Sequence, residues 1–356
     1  MNIGFARLTH QQIAGSSFTQ PEAVVAWLGA LQAQDYTGVL WSIGLRMNDA
    51  TEQTIAQAIA DRTIVRTWPM RGTLHFVAAQ DVRWLLALLT PRVIAGSAGR
   101  YRQLELDDAT LVRSKTVISN ALQGGKQLTR EELLQQLDAA GIATTGQRGY
   151  HLLVHAAQQG LICFGVPSGK QQTFVLLDEW LPLTKPLARE EAIVELTRRY
   201  FTSHGPATLQ DFTGWAGLTV TEAKMGLAGS GDTLMQETVG ERTYWLPHQT
   251  REIKTETPAA YLLPGFDEFI LGYKDRSAVL DPAFSNHICP GSNGVFQPTM
   301  VVDGQVVGTW KRMVKKGKVL ITFNPFHPLN DAEHAALAAA TARYGAFMRA
   351  RAEVTN

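Results

Sequence analysis

The hydrophobic pattern of residues 1–257 repeats one order of elements three times. Apolar residues at helical spacing are followed each time by two short apolar runs that turn residues separate. The three repeats share the order of their elements but not their sequences. We predict paired strands, or wings, near 64–77, 161–177 and 233–247.

Helix-start signals support the helical part of each repeat. Thr19 and Glu22 have capping-box spacing in the first repeat, as Thr129 and Glu132 have in the second. A short helix, a turn, a second helix and a two-stranded wing form a winged helix, a variant of the helix-turn-helix. The pattern predicts helices over 38–47, 50–62, 107–123, 128–141, 147–160, 190–205, 207–217 and 219–229.

Near residue 258 the pattern changes to apolar runs of strand length. Asp303-Gly304 lies between two such runs and is typical of a hairpin turn. The fold class is therefore α+β, with three tandem winged-helix units, a β-rich C-terminal section and a final helix. Strands are predicted over 261–273, 294–302, 305–314 and 318–323, and the last helix over 331–350. The corresponding domains are 1–105, 106–186, 187–257 and 258–356.

Composition and charge restrict the class of protein. Hydrophobic residues make up 45% of the chain and charged residues 18%, as in ordinary globular proteins. With a net charge of +1, a nucleic-acid-binding chain must concentrate its basic residues on one surface. No apolar run could span a bilayer and the N-terminus lacks a signal-peptide core, so we expect a cytoplasmic protein. Cys163 and Cys289 are expected to be reduced thiols.

Several familiar catalytic motifs are absent from the sequence. It has no phosphate-binding G-x-x-x-x-G-K-[ST] loop, no G-x-G-x-x-G, no H-E-x-x-H and no G-x-S-x-G. His151 and His155 could bind a metal, but no third ligand lies nearby in sequence, which favours packing or DNA-contacting positions. Asp267 and Glu268 could form a catalytic pair, but their aromatic neighbours favour structural strand positions. We predict no metal and no cofactor.

Two groups of basic residues could neutralise DNA phosphates. One surrounds the first wing and the other lies on a hairpin near the C-terminus, where lysines would equally suit an ordinary protected edge strand. The members are Arg62, Arg66 and Arg71 in the first group, and Lys311, Arg312, Lys315, Lys316 and Lys318 in the second.

The only Gln-x-Gln tripeptide of the chain contains Gln32 and Gln34. Taken alone, it would be typical of glutamines on a helix surface. Side chains two residues apart point about 200° apart on a helix but to one side of an extended segment. If both amides face one substrate, the tripeptide must lie at a helix end or break. The sequence agrees, because the apolar helical period ends at Leu31 and Gly38 follows soon after.

Four segments carry a resemblance to a known family. They are LQAQDY (31–36), VRTWPMRGTLHFV (65–77), LLPGFDEFILGYKDR (262–276) and NGVFQPTMVVDGQVVGTWKR (293–312). With them the chain resembles the AlkZ/YcaQ type of winged-helix DNA glycosylase over almost its whole length. The resemblance implies three winged helices and a β-rich section in a C shape around DNA. It also implies hydrolysis of the N-glycosidic bond of alkylated purines, N7-alkylated ones in particular, and in some members the unhooking of interstrand crosslinks.

The resemblance also implies roles for the two glutamines. The catalytic motif of the family is Gln-x-Gln or Gln-x-Asp, and Gln32 and Gln34 occupy its two positions. The chain thus resembles the Gln-x-Gln branch. Asp35 fills neither motif position, which puts a carboxylate base in doubt. We expect catalytic Gln32 and Gln34 in a monomer that binds double-stranded DNA, associates with the nucleoid and contacts no membrane.

Two other functions fit the same elements, because a fold does not determine a function. A non-catalytic winged-helix transcription regulator would read DNA with a recognition helix, usually as a dimer on a palindrome. A protein-interaction scaffold would lack salt-dependent DNA binding. Three different units in one chain favour a monomer that wraps around a lesion over a dimeric regulator.

Overall fold

The computed structural model describes residues 1–248, 258–315 and 317–355. It is a mixed α+β structure in which the chain divides into two units. Unit 1 contains residues 1–56 and 193–356, and unit 2 contains residues 57–192. The four-domain division made from the sequence stays a prediction.

The N-terminal part of unit 1 is helical, apart from one short extended segment. Helix α2 begins at Pro21 with Gln20 as its N-cap and without a side-chain cap, so the predicted capping box of Thr19 and Glu22 is wrong. Proline suits this first position because its missing N–H would have no partner within the helix. The elements are α1 (Ile3–His10), α2 (Pro21–Leu28), β1 (Leu31–Gln32), α3 (Tyr36–Leu45) and α4 (Glu52–Ala60), which continues into unit 2.

Unit 2 contains two of the predicted hairpins. Its elements are β2 (Ile64–Met70), β3 (Thr73–Ala78), α5 (Val82–Gly96), α6 (Ala98–Gln103), α7 (Asp108–Leu122), β4 (Leu128–Thr129), α8 (Arg130–Ala139), α9 (Arg148–Gln158), β5 (Ile162–Phe164), β6 (Thr173–Leu176) and α10 (Leu177–Trp180). Strand β2 pairs antiparallel with β3, and β5 with β6, as the pattern predicts. The capping box of Thr129 and Glu132 is confirmed. Helices α5 and α6 were not predicted.

The third predicted hairpin lies in unit 1. Helices α11 (Arg189–His204), α12 (Leu209–Ala216) and α13 (Val220–Gly229) precede the antiparallel strands β7 (Leu234–Val239) and β8 (Arg242–Pro247). Helix α11 begins in unit 2 and ends in unit 1. Capping boxes start α12 at Thr208 and α13 at Thr219, so both helix starts are specified by the local sequence.

A five-stranded sheet forms the C-terminal part of unit 1. Its strand order is β13-β12-β11-β10-β9, with β12 and β13 parallel. The elements are β9 (Ala260–Leu263), α14 (Glu268–Leu271), α15 (Ser285–Ile288), β10 (Thr299–Val302), β11 (Gln305–Lys315), β12 (Lys318–Pro325), α16 (Asp331–Phe347) and β13 (Arg351–Thr355). The hairpin turn at Asp303-Gly304 is confirmed, with φ of 47° and 84°.

The predicted strand over 261–273 is wrong beyond Leu263. The chain leaves the sheet there, and Asp267 caps a one-turn helix by accepting a hydrogen bond from the Phe269 N–H. The aromatic residues Phe269 and Tyr273 of this segment are buried, but Phe269 lies in the helix and Tyr273 follows it without being part of a strand. An apolar run without a clear period of two does not distinguish a strand from a buried helix, and for this reason the strand prediction fails here. Strand β13 was not predicted.

Aromatic side chains join α3, the sheet and α16 in the core of unit 1. Trp41 of α3 packs against Tyr344 and Phe347 of α16, each with ring centroids 5.0 Å apart. The indole N–H groups of Trp41 and Trp310 donate to the carbonyls of Leu262 and Leu263, at 2.7 and 2.8 Å. These contacts fix the helix that follows the Gln-x-Gln tripeptide onto the sheet.

Candidate catalytic site and nucleic-acid interface

The Gln-x-Gln tripeptide lies in the extended segment between α2 and α3. Helix α2 ends at Leu28, its C-cap Gly29 has a φ of 81° that favours glycine, and the two-residue strand β1 follows. The amide Nε2 of Gln32 donates to Oε1 of Gln34 at 2.5 Å, so the two side chains meet. The expectation that the tripeptide lies in a break between helices, with both amides on one side, is confirmed.

The two amides differ in their exposure. Gln32 is 9% exposed, whereas Gln34 is an exposed residue. Among the residues that the structure describes, Gln32 Oε1 and Gln34 Nε2 have no hydrogen-bond partner. The pair therefore offers one carbonyl acceptor and one N–H donor group to a molecule that approaches from solvent.

Asp35 has a structural task at the start of α3. Its carboxylate accepts hydrogen bonds from the Gly38 N–H at 3.0 Å and from Thr37 Oγ1 at 3.1 Å. It is therefore the N-cap of the helix. Its side chain is bonded to the helix start rather than to the glutamines.

A buried carboxylate contacts the backbone of the Gln-x-Gln segment. Glu268, the first residue of α14, is 1% exposed and accepts a hydrogen bond from the Gln32 N–H at 3.3 Å through Oε1. Its other oxygen accepts from Trp215 Nε1 at 2.9 Å and lies 3.4 Å from His204 Nε2. The sequence favours structural positions for Asp267 and Glu268 over a catalytic pair, and it predicts a role for neither Trp215 nor His204.

The neighbouring Asp267 forms a buried ion pair with Arg46 of α3. Two guanidinium nitrogens each donate to one carboxylate oxygen at 2.8 Å, and Ser42 Oγ donates to the same carboxylate at 2.6 Å. Burial alone would raise the pKa of Asp267, but the Arg46 charge and these hydrogen bonds hold the pKa below its ordinary value. Asp267 is therefore a charged structural group.

The C-terminal basic hairpin, formed by β11 and β12, is attached to the start of α3. Arg312 donates to Thr37 Oγ1 at 2.6 Å and also to the hydroxyl of Tyr344. Lys311 and Lys315 are exposed, and Lys316 lies outside the described residues. Thr37 lies three residues after Gln34 in sequence, so Arg312 brings a positive charge to the start of the helix that follows the tripeptide.

The basic residues of the first wing lie in unit 2 and are mostly engaged with other groups. Arg66 is 8% exposed, lies over the Phe164 ring and donates to Gln172 Oε1 at 3.3 Å. Arg62 is exposed but lies 4.1 Å from the centroid of the Trp180 ring. Arg71, in the turn between β2 and β3, is half-buried. DNA contact by all three arginines stays a prediction. The burial of Arg66 argues against a phosphate contact by that residue.

The remaining candidate ligands show packing roles. The rings of His151 and His155 pack against Tyr101 with centroids 6.1 and 5.7 Å apart, and burial lowers the pKa of both histidines. Cys163 and Cys289 are free thiols. No group of three or more potential metal ligands occurs in residues 1–248, 258–315 and 317–355. None of the helices in these ranges is long and apolar enough for a bilayer crossing.

Three comparisons with known proteins match most of this chain to DNA glycosylases of one kind. A family model described as DNA glycosylase AlkZ-like matches residues 25–347. The interstrand DNA cross-link repair glycosylase of Streptomyces sahachiroi is 27% identical over 316 residues, which are 82% of this chain and 83% of that protein. The solved structure of Streptomyces sahachiroi DNA glycosylase AlkZ gives a TM-score of 0.80 at 23% identity, covering 99% of this chain and 98% of the other. The structural likeness supports the fold.

Proposed function

Because this chain belongs to the AlkZ-like DNA glycosylase family, and is thus an enzyme that hydrolyses N-glycosidic bonds, we propose that it releases alkylated purines from duplex DNA. We propose N7-alkylated purines as its substrate class, with Gln32 and Gln34 as the catalytic pair. The observation that carries the proposal is the hydrogen bond between the two amides, which leaves one acceptor and one donor group for substrate.

Two amides suit this substrate because it needs no acid. Hydrolysis of an ordinary glycosidic bond requires protonation of the leaving group and activation of water, for which most enzymes use two carboxylates. A purine alkylated at N7 already carries a positive charge and leaves as a neutral base. The remaining task is to stabilise an oxocarbenium-like sugar and to hold one water against it. An amide carbonyl can direct its dipole at the developing cation, and an amide group can position the water.

The same chemistry would limit damage to normal DNA. An undamaged purine is neutral, so it leaves poorly unless an acid protonates it. Amides cannot supply that proton at neutral pH. Gln32 and Gln34 would therefore act on bases that are already activated by alkylation, and spare the others.

We further propose that the protein acts in the cytoplasm as a monomer. It would contact duplex DNA through three winged-helix units and the basic hairpin. The three antiparallel hairpins at the predicted positions support the count of units. The exposed Lys311 and Lys315 are the best candidates for phosphate contacts. Crosslinked duplexes are a second substrate class to test, because the Streptomyces sahachiroi relative is described as an interstrand cross-link repair glycosylase.

The test is release of free base from a duplex that contains one N7-methylguanine. Gln32→Ala and Gln34→Ala should each lower the single-turnover rate about a hundredfold or more, the scale for removing one preoriented polar group. DNA affinity should change little, because phosphate contacts dominate it. Gln80→Ala, at an exposed position of unit 2, is the matched control. A double glutamine variant with wild-type rates would refute the assignment, and DNA binding without base release by the wild type would refute the proposed substrate.

A further inference from the structure

We infer that Glu268 is the positioning residue of the glutamine pair: its buried carboxylate fixes the Gln32 backbone so that the two amides converge on substrate. The inference rests on the proposed catalytic role of Gln32 and Gln34. Glu268 is separated from Gln32 by 236 positions in sequence, yet its carboxylate contacts the backbone of the tripeptide. Its expected effect is therefore on geometry at the site.

The first argument is that Glu268 accepts hydrogen bonds from two donors that lie on different elements. Oε1 of Glu268 receives the Gln32 N–H at 3.3 Å, and Oε2 receives Trp215 Nε1–H at 2.9 Å. A carboxylate can accept from two such donors at once. A glutamine in the same place has one oxygen, so its NH2 group would face one of the two donors and that contact would be lost.

The second argument is that the groups around the other carboxylate oxygen are themselves held in place. His204 stacks on Tyr200 with centroids 4.7 Å apart, and its Nδ1 lies 2.8 Å from Ser203 Oγ. The ring of Trp215 packs on the same Tyr200 at 5.0 Å. These contacts fix the two groups that face Oε2, and so fix the carboxylate itself.

The third argument is that the start of α14 is anchored independently. Asp267, the residue before Glu268, is held by the Arg46 guanidinium, and Arg46 is the C-cap of α3. Helix α3 begins directly after the tripeptide, so both ends of the contact between Glu268 and Gln32 are attached to one rigid arrangement. A preoriented site requires this, because amides act through the direction of their dipoles and a misplacement of about 1 Å can cost about a hundredfold in rate.

The experiment measures single-turnover release of N7-methylguanine together with DNA affinity. Glu268→Gln should lower the rate about 10- to 100-fold while the dissociation constant for the same duplex stays within about twofold. Trp215→Phe removes one donor and leaves the carboxylate, so its rate should fall less. Glu333→Gln makes the same chemical change at the capping box of α16 and should keep the wild-type rate.

The double variant Glu268→Gln with Trp215→Phe separates positioning from simple loss of stability. Without the indole N–H, the amide introduced by Glu268→Gln can turn its oxygen to the Gln32 N–H, so the double variant should release base faster than the single Glu268 variant. A purely structural role predicts the opposite, because the second substitution would only add to the damage.

Three results would overturn the inference: a wild-type rate for the Glu268 variant, rate and DNA affinity that fall in parallel, or no recovery in the double variant. If the Glu268 variant does not fold, Trp215→Phe becomes the test. The inference then requires that this variant has a lower single-turnover rate and an unchanged DNA affinity. Full activity of the Gln32 and Gln34 variants would instead refute the proposed catalytic pair. The two failures are therefore distinguishable.

Discussion

The substitution Asp267→Asn tests whether the buried ion pair holds α3 and α14 together. Both side chains of the pair with Arg46 are fully buried, with two N–O contacts at 2.8 Å. Asparagine keeps the shape of the side chain but removes its charge and replaces one acceptor oxygen by a donor. Arg46 would then be left as a buried cation without its counter-ion.

The magnitude follows from this burial. Removal of one partner of a buried ion pair costs about 3–5 kcal/mol, because the remaining charge has lost its compensation and stays desolvated. The Ser42 hydroxyl and the Phe269 N–H also donate to Asp267, so at least one of these donors loses its acceptor as well. Since a whole domain is stable by only about 5–15 kcal/mol, the variant should lie close to the limit of folding.

The assay is urea unfolding followed by tryptophan fluorescence, with the wild type and Asp275→Asn measured in parallel. Asp275 pairs with Arg242 at the surface, where both side chains are exposed, so its loss should cost at most about 1 kcal/mol. An Asp267→Asn variant that loses no more than this surface control would refute the reasoning, since burial would then add nothing to the pair.

Three further predictions follow from the site. The pKa of Asp267 is lowered in the folded protein, so its charge stabilises the fold above its unfolded pKa of about 3.9. This contribution is lost as pH falls through the folded pKa. The free energy of unfolding of the wild type should therefore fall with pH below about pH 4, and Asp267→Asn should lack this part of the pH dependence. Lys311→Ala and Lys315→Ala should each make the fall of log affinity with log salt less steep by about one unit in DNA-binding titrations. Unchanged slopes would show that the hairpin does not contact the DNA phosphates. Asp35→Ala should destabilise the protein by about 1 kcal/mol, measured by urea unfolding, because the cap of α3 is lost. Asp35→Asn should keep the cap and should slow base release less than either glutamine variant. Abolished activity in Asp35→Asn would point to a carboxylate mechanism.

Local signals predicted those parts of the fold that depend on neighbouring residues. The hairpin turn at Asp303-Gly304 follows from the left-handed backbone that these residue types tolerate, and the capping box at Thr129 follows from hydrogen bonds over three positions. The break around the glutamines was predicted because its argument needs only the direction of side chains at i and i+2.

The parts that could not be predicted depend on distant residues. The segment after Leu263 has the apolar content of a strand, but Asp267 turns it into a helix start because Arg46, 221 positions away in sequence, holds its carboxylate. The parallel strand β13 was missed for a similar reason, since only its pairing with β12 identifies it. Propensity and period carry no information about such partners.

The contrast between Asp267 and Glu268 bears on the proposed catalytic pair, because amides that act through their dipoles depend on neighbouring groups that take no part in the reaction. A carboxylate catalyst acts by proton transfer or by its full charge. An amide has only a dipole, whose benefit depends on the angle at which it meets the developing positive charge. The proposed mechanism therefore requires that the backbone of Gln32 and Gln34 is held in one orientation. Two adjacent buried carboxylates meet that need, one by anchoring α14 to α3 and the other by accepting the Gln32 N–H, as inferred above.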